Sequence, residues 1–226
     1  MNPNADSRRS LLGGERKSVP PRVLYETLFI LIIVFVTQFF WKDHAIIFAL
    51  VPTLYFLIER WLRHRSWEEI GFRVRSIPQD IAHNWLFILL VSFIIQFLVV
   101  FVTRNWMPAF MEHVFSRVPI SFAQVAQFVP ALLVGALWEE INYRGLYQER
   151  LSWFIPMPFA IGITSLIFSL GHLAAGDPMI VLIDILLIIL DSIFYGIIFA
   201  RSKNIFVVWI AHFLANLFAI IFYALV

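Results

Sequence analysis

The sequence predicts an all-α fold, a polytopic membrane helix bundle with about seven transmembrane helices. Two features of the composition point to it. Of the 226 residues, 61% are hydrophobic, against about 45–50% in soluble domains, and the mean hydropathy is +0.83. Only 14% are charged, where about 25% is usual. A globule of this length cannot hide so much apolar surface from water, so a soluble enzyme and a disordered chain are excluded.

The third observation is a series of seven apolar stretches. A spanning helix needs about 20 apolar residues, and most of these stretches approach that length. The second and the fifth are short, and we expect the fourth to continue as helix beyond residue 138. The stretches lie at about 24–41, 45–59, 84–103, 121–138, 157–172, 179–200 and 205–226.

The rest of the chain is an N-terminal tail and two longer connections. Residues 1–22 carry five Lys or Arg residues with glycine and proline pairs, which predicts a flexible, basic cytoplasmic tail. Residues 23–226 are predicted to form a single transmembrane domain. Between spans, residues 67–72 predict a turn at the membrane surface, and 104–120 predict a short interfacial helix.

The basic residues predict the orientation. With the N-terminus in the cytoplasm, fourteen of the seventeen Lys and Arg residues are cytoplasmic, including Arg144 and Arg150 after the fourth stretch. Cytoplasmic loops carry the excess of Lys and Arg, so we expect a cytoplasmic N-terminus in a plasma (inner) membrane. The net charge of +2 is too small for a nucleic-acid binder. Cysteine is absent, which excludes thiolate metal sites and a cysteine nucleophile.

Polar side chains inside three of the apolar stretches indicate a functional site, because ionisable groups in a bilayer are costly. In each of the three segments a polar residue and a second residue four positions away share one helix face. The pairs are Glu140 with Arg144, Phe168 with His172, and His212 with Asn216.

The adjacent residues Glu139 and Glu140 have different predicted roles, because neighbouring helical residues diverge by about 100°. Glu140 has Arg144 one turn away and is predicted to form a structural ion pair. Glu139 is left without a local countercharge, which suits a general acid or base. The helix breaker at 155–158 lies midway between Glu139 and His172, so an antiparallel hairpin brings the two to equal depth.

These residues resemble the motifs of the CPBP family, the CAAX proteases and bacteriocin-processing (Abi) enzymes, which includes the type II CAAX prenyl endopeptidase. E-E-x-x-x-R, F-x-x-x-H and H-x-x-x-N occur in order over about residues 121–220. The resemblance implies a glutamate-dependent intramembrane endopeptidase that cleaves a peptide or membrane-protein substrate. It implies that Glu139 and His172 activate a water, and that the oxyanion hole consists of His212 and Asn216. The supporting residues are Glu140, Arg144 and Phe168.

This mechanism requires no cofactor, but a divalent metal is an alternative. Glu139, His172 and His212 have the side-chain types that bind zinc, and the family is often labelled as metalloproteases. The sequence has no H-E-x-x-H helix, so the usual pattern of membrane metalloproteases is missing.

Two functions from other classes stay open. One is a catalytically silent membrane factor of the same family, acting in immunity or partner binding. The other is a small transporter with a proton relay through Glu139, Asp184 and Asp191. The two aspartates are seven residues apart on one face of the sixth stretch and are predicted to line the cavity. His113, in the connection 104–120, is predicted to be interfacial.

Overall fold

Helices contain most of the residues that the computed structural model describes, which are 20–40, 50–117 and 125–225. Within these ranges the chain forms eight helices and no strand, so the all-α prediction is confirmed. Most of the predicted tail, residues 1–19, and the start of the second apolar stretch, residues 45–49, lie outside the described residues.

The helices follow the predicted order. The first four are α1 (Pro21–Phe40), α2 (Val51–Leu62), α3 (Val74–Trp106) and the short α4 (Pro108–Arg117). Helix α5 runs without a break from Val125 to Ser152. It has regular turns over Val125–Glu140 and Glu149–Ser152 and wider π-type turns over Ile141–Gln148. The last three are α6 (Met157–Leu170), α7 (Pro178–Ser202) and α8 (Ile205–Ala224).

Three of these helices, α3, α7 and α8, are long and apolar enough to cross a membrane. Helix α6 is apolar but has only 14 residues. The count of seven spans therefore stays a prediction. Helix α5 does continue beyond residue 138, and α1 begins at Pro21, inside the stretch predicted as tail.

Helix α8 lies at the centre of the bundle, in contact with α3, α5 and α7. Its residues Val207, Val208 and Ala211 are completely buried. Helix α6 packs along α7 and against the wide part of α5, while α4 contacts α3 and α7. Because α5 contacts both α6 and α8, the three helices that carry the motifs adjoin one another.

The corner between α7 and α8 sets the point at which α8 begins. Asn204 is completely buried, and its side-chain oxygen accepts a hydrogen bond from the amide of Phe206 at 3.1 Å. Its amide nitrogen donates to the carbonyl of Arg73 at 2.8 Å and to the carboxylate of Asp80 at 2.9 Å. His212 follows eight residues later, about 12 Å along the helix. The start of α3 therefore determines the depth of His212.

A buried ion-pair cluster joins α2 to the end of α5. Arg150, which is 1% exposed, pairs with Glu59, and the other oxygen of Glu59 lies 2.9 Å from Arg63 Nη1. Arg144 and Arg150, which the orientation count takes as cytoplasmic residues after the fourth stretch, follow that stretch within the same helix. Both lie inside the continuing helix α5 and are buried, because each guanidinium has a carboxylate partner within the bundle.

Candidate active site

Helix α5 changes from regular to wider turns directly after its two adjacent glutamates. The wide part faces α7, where Arg144 donates to the carbonyl and the hydroxyl of Ser192 at 3.0 and 2.8 Å. One turn on, Gln148 donates to the carbonyl of Gly196 at 2.9 Å. A Cβ on Gly196 would lie 2.8 Å from Ile161 Cγ2 of α6, so the close approach of α6 to α7 requires glycine at position 196. The contacts fix α5, α6 and α7 around the site.

Glu140 is completely buried and holds two partners. Its Oε2 lies 3.3 Å from Arg144 Nε, so the ion pair predicted from the i+4 spacing is present. Its Oε1 lies 2.6 Å from His212 Nδ1, a contact that the sequence did not predict. A buried carboxylate needs such partners, because desolvation of an unpaired charge is costly. Glu140 therefore links the arginine of the first motif to the histidine of the third.

Glu139 lies between two imidazoles. Its Oε1 is 3.8 Å from His172 Nε2, and its Oε2 is 3.5 Å from His212 Nε2. Both distances exceed the 2.7–3.2 Å of an ordinary N–H···O hydrogen bond. The Glu139 side chain is 24% exposed, whereas that of Glu140 is inaccessible. The two glutamates thus differ in environment, as their divergence around the helix predicts.

His172 lies two residues beyond the end of α6. Its Nδ1 is 2.9 Å from the carbonyl oxygen of Phe168, and its ring packs on the Phe168 ring with centroids 4.6 Å apart. A carbonyl only accepts hydrogen bonds, so Nδ1 carries the proton in the neutral ring. The lone pair on Nε2 then faces Glu139. The side chain is 34% exposed, enough for a solvent molecule to reach it.

His212 is held tightly and is only 4% exposed. The ring of Tyr195 stacks on it, with centroids 4.6 Å apart and planes 21° from parallel. The edge of Phe168 closes another side at 5.9 Å. The guanidinium of Arg144 lies over both aromatic rings, at 5.4 and 5.0 Å. The sequence did not single out Tyr195, because an aromatic residue in an apolar span carries no distinguishing signal.

Two adjoining cavities open beside His172 and Asn216. The first, of about 310 Å³, is otherwise apolar, and the second, of about 420 Å³, contains Asp184 and Asp191. The predicted lining role of the two aspartates is therefore observed, and Gln96 on α3 donates to Asp191 at 3.0 Å. Asn216 reaches both cavities, but no hydrogen bond joins it to the imidazole of α8 within the described ranges. The first cavity is further lined by Val114, Phe115, Leu132, Ala219, Ile220, Tyr223 and Ala224.

His113, which the sequence predicts to be interfacial, is buried within the protein. The residue is 8% exposed, and its Nε2 lies 3.5 Å from Asp184 Oδ2. Its ring also occupies the space that a side chain on Gly176 would need, since a Cβ there would lie 2.9 Å from Nδ1. The sequence did not indicate this contact, because it depends on how α4 packs on α7. The contact seats α4 against α7 beside the second cavity.

A metal site requires at least three suitable side chains at ligand distances. In the part of the chain that the structure describes, no group of three or more His, Asp or Glu side chains has that arrangement. Glu139 approaches both imidazoles, but it does not form such a set with His172 and His212. The divalent metal considered from the sequence therefore stays a hypothesis, which removal of divalent metals tests.

Three polar motifs meet at one site on α5, α6 and α8, and the comparison with protein families assigns this segment. Residues 121–218 match the family Type II CAAX prenyl endopeptidase Rce1-like. The resemblance to CAAX proteases that the motifs indicated is thereby confirmed. The comparison with curated proteins and the comparison with solved structures gave no match.

The match to the Rce1-like endopeptidases indicates, at the level of the family, a membrane endopeptidase of the CAAX-protease type. Together with the three helices that can span a membrane, it identifies an integral membrane protein. A hydrolase of this type has a protein substrate in the membrane. The matched segment contains α5 to most of α8, and therefore Glu139, His172, His212 and Asn216.

Proposed function

We propose that this protein is an intramembrane endopeptidase in which Glu139 and His172 activate a water for attack on a peptide bond. The observation that carries the proposal is the 3.8 Å separation between Glu139 Oε1 and His172 Nε2. It is too long for a direct hydrogen bond and suits two groups that share one bridging water. His172 lines the second cavity, and Glu139, 3.8 Å away, is 24% exposed, so water and a peptide can reach both side chains.

The proposed reaction needs no covalent intermediate with the protein. Glu139 accepts a proton from the water while the water oxygen bonds to the peptide carbonyl carbon, which forms a tetrahedral oxyanion. The carbonyl then re-forms as the C–N bond breaks, and the proton on Glu139 passes to the leaving nitrogen. The products are a carboxylic acid and an amine, and the acid then gives its proton to the amine or to water. His172 accepts the second hydrogen bond of the water through Nε2 and orients it.

The proposed oxyanion hole consists of His212 and Asn216. The Asn216 amide donates directly, while His212 must donate from Nε2, since its Nδ1 proton bonds to Glu140. His212 therefore acts as an imidazolium, with Glu139 and Glu140 supplying opposite charge. One such donor contributes about 10²–10³ in rate. We place the N-terminus in the cytoplasm of an inner membrane, because the N-terminal segment and residues 60–80 are rich in arginine.

Replacing His172 with alanine should lower kcat about a hundredfold, because the water loses the group that orients it. The purified protein in liposomes would be given a peptide library that includes prenylated C-terminal peptides, and cleavage would be followed by mass spectrometry. His83→Ala is the matched control, since His83 is exposed and its ring bonds to the Gln79 carbonyl of its own helix. Wild-type activity in His172→Ala would contradict the mechanism. A wild type without any cleavage would favour the silent membrane factor.

Removal of divalent metals should leave cleavage unchanged. In the proposed mechanism the side chains alone activate the water and stabilise the oxyanion. The protein would be dialysed against a strong chelator, and kcat would be compared before and after dialysis and after addition of Zn²⁺. A loss of activity that Zn²⁺ restores would contradict water activation by Glu139 and His172 and would favour a metal-bound water.

A further inference from the structure

Helix α3 has a local irregularity at the depth of the candidate active site. Residues Leu90–Ile94 form a wider π-type turn within the otherwise regular helix. Two polar side chains at this turn point into the bundle: Ser92 is 3% exposed and Gln96 is 8% exposed. Gln96 donates to the carbonyl of Val91 at 3.1 Å and to Asp191 on α7. Such turns are rare and occur frequently at functional sites.

Ser92 connects this turn to α8 directly. Its hydroxyl donates to the carbonyl oxygen of Ala211 at 2.8 Å, across 119 positions of sequence. A carbonyl in a helix can accept a second hydrogen bond, since it has two lone pairs. Ala211 is completely buried and immediately precedes His212. The bond therefore holds the α8 backbone at the residue that carries the imidazole.

The imidazole of His212 can be displaced very little without losing its contacts. Its Nδ1 lies 2.6 Å from Glu140 while its Nε2 lies 3.5 Å from Glu139, so the ring has to meet carboxylates on two opposite sides. Tyr195 and Phe168 limit its rotation, but they do not fix the backbone. A catalytic group usually has to stay within about 0.5 Å of its productive position. A backbone contact one residue away satisfies that requirement.

We propose that Ser92 is a positioning residue of the active site, which acts through the Ala211 carbonyl to place His212 between Glu139 and Glu140. The inference rests on the proposed function and extends it to α3, which lies outside the residues matched by the family model. The alternative is a purely structural role, in which the Ser92 hydroxyl holds α3 and α8 together and does not affect the position of His212. A serine that only joins helices affects stability, whereas a positioning serine affects the imidazole and the chemical step.

The test compares Ser92→Ala with Thr103→Val in the full-length protein in liposomes. Thr103 is equally buried on the same helix, but its hydroxyl bonds to the Val99 carbonyl of α3 itself and, at 3.5 Å, to Met111 Sδ on α4, and not to α8. We expect Ser92→Ala to lower kcat about tenfold with unchanged KM, because a displaced catalytic group slows the chemical step. Thr103→Val should keep wild-type kcat. Ser92→Thr, which restores a hydroxyl, should recover most of the rate.

A second readout does not depend on cleavage. In ¹⁵N-histidine-labelled protein, the ring signals of His212, assigned by their loss in His212→Gln, should shift in Ser92→Ala and stay in place in Thr103→Val. Unchanged ring signals in Ser92→Ala, or an equal loss of kcat in both variants, would overturn the proposal. If the wild type cleaves no peptide, the proposed function fails, and the ring signals still decide whether Ser92 positions His212.

Discussion

Replacing Glu139 with alanine is expected to lower kcat for peptide cleavage about a thousandfold and to leave the fold intact. The carboxylate is the proposed acceptor of the water proton, and general-base catalysis contributes about 10²–10⁴ in rate. The substitution should be tolerated, because the Glu139 side chain is 24% exposed and forms no close hydrogen bond to either imidazole. Cleavage of the library peptides by the purified variant in liposomes measures the effect.

Two further variants test whether the loss of activity is due to the basicity of the Glu139 carboxylate. Glu139→Gln keeps the shape of the side chain and removes its basicity, so it should lose nearly as much activity as the alanine variant. Glu68→Ala removes an exposed carboxylate in the turn before α3 and should behave as the wild type. Retention of full activity by Glu139→Gln would show that Glu139 is not the base.

Replacing Arg144 with methionine is expected to destabilise the fold by about 3–5 kcal/mol, the usual cost of breaking a buried ion pair from one side. Glu140 would keep His212 but lose the guanidinium at 3.3 Å, and Ser192 would lose two hydrogen bonds from α5. Unfolding in mixed micelles, followed by circular dichroism, measures the change.

The double variant Glu140→Gln with Arg144→Met should recover part of that stability, because it removes the carboxylate that Arg144→Met leaves without its guanidinium, while His212 still lies 3.5 Å from Glu139. Lys203→Met is the matched control. It breaks an ion pair with Glu149 whose lysine is 42% exposed, and such pairs contribute about 0–1 kcal/mol. Equal losses in Arg144→Met and Lys203→Met would contradict a structural role for the Glu140–Arg144 pair.

The site residues that could be predicted from the sequence are the polar residues that stand within apolar helices. Glu139, His172 and His212 each contrast with their surroundings, and the breaker at 155–158 relates the first two in depth. In the structure α5 ends at Ser152 and α6 begins at Met157, so this hairpin is present. The order of the helices could likewise be predicted from the order of the apolar stretches.

The missed features depend on contacts between distant segments. Tyr195 stacks on His212, yet nothing in its neighbourhood distinguishes it from an aromatic residue facing lipid. The burial of His113 was not predicted either, because it depends on how α4 lies against Asp184. The wide turns of α3 and α5 alter which residues share a face, and a regular 3.6-residue period does not reveal them.

The Glu59 cluster has a consequence for biogenesis. Arg150 is synthesised ninety-one positions after Glu59, a delay of roughly 5–18 s at ordinary rates of translation. In the predicted seven-span arrangement, a lone carboxylate would during that interval hinder transfer of α2 from the translocon into lipid. Arg63, only four residues after Glu59 and 2.9 Å from it, is available almost at once. Glu59 thus has a temporary partner from the start, and Arg150 completes the pairing when α5 arrives.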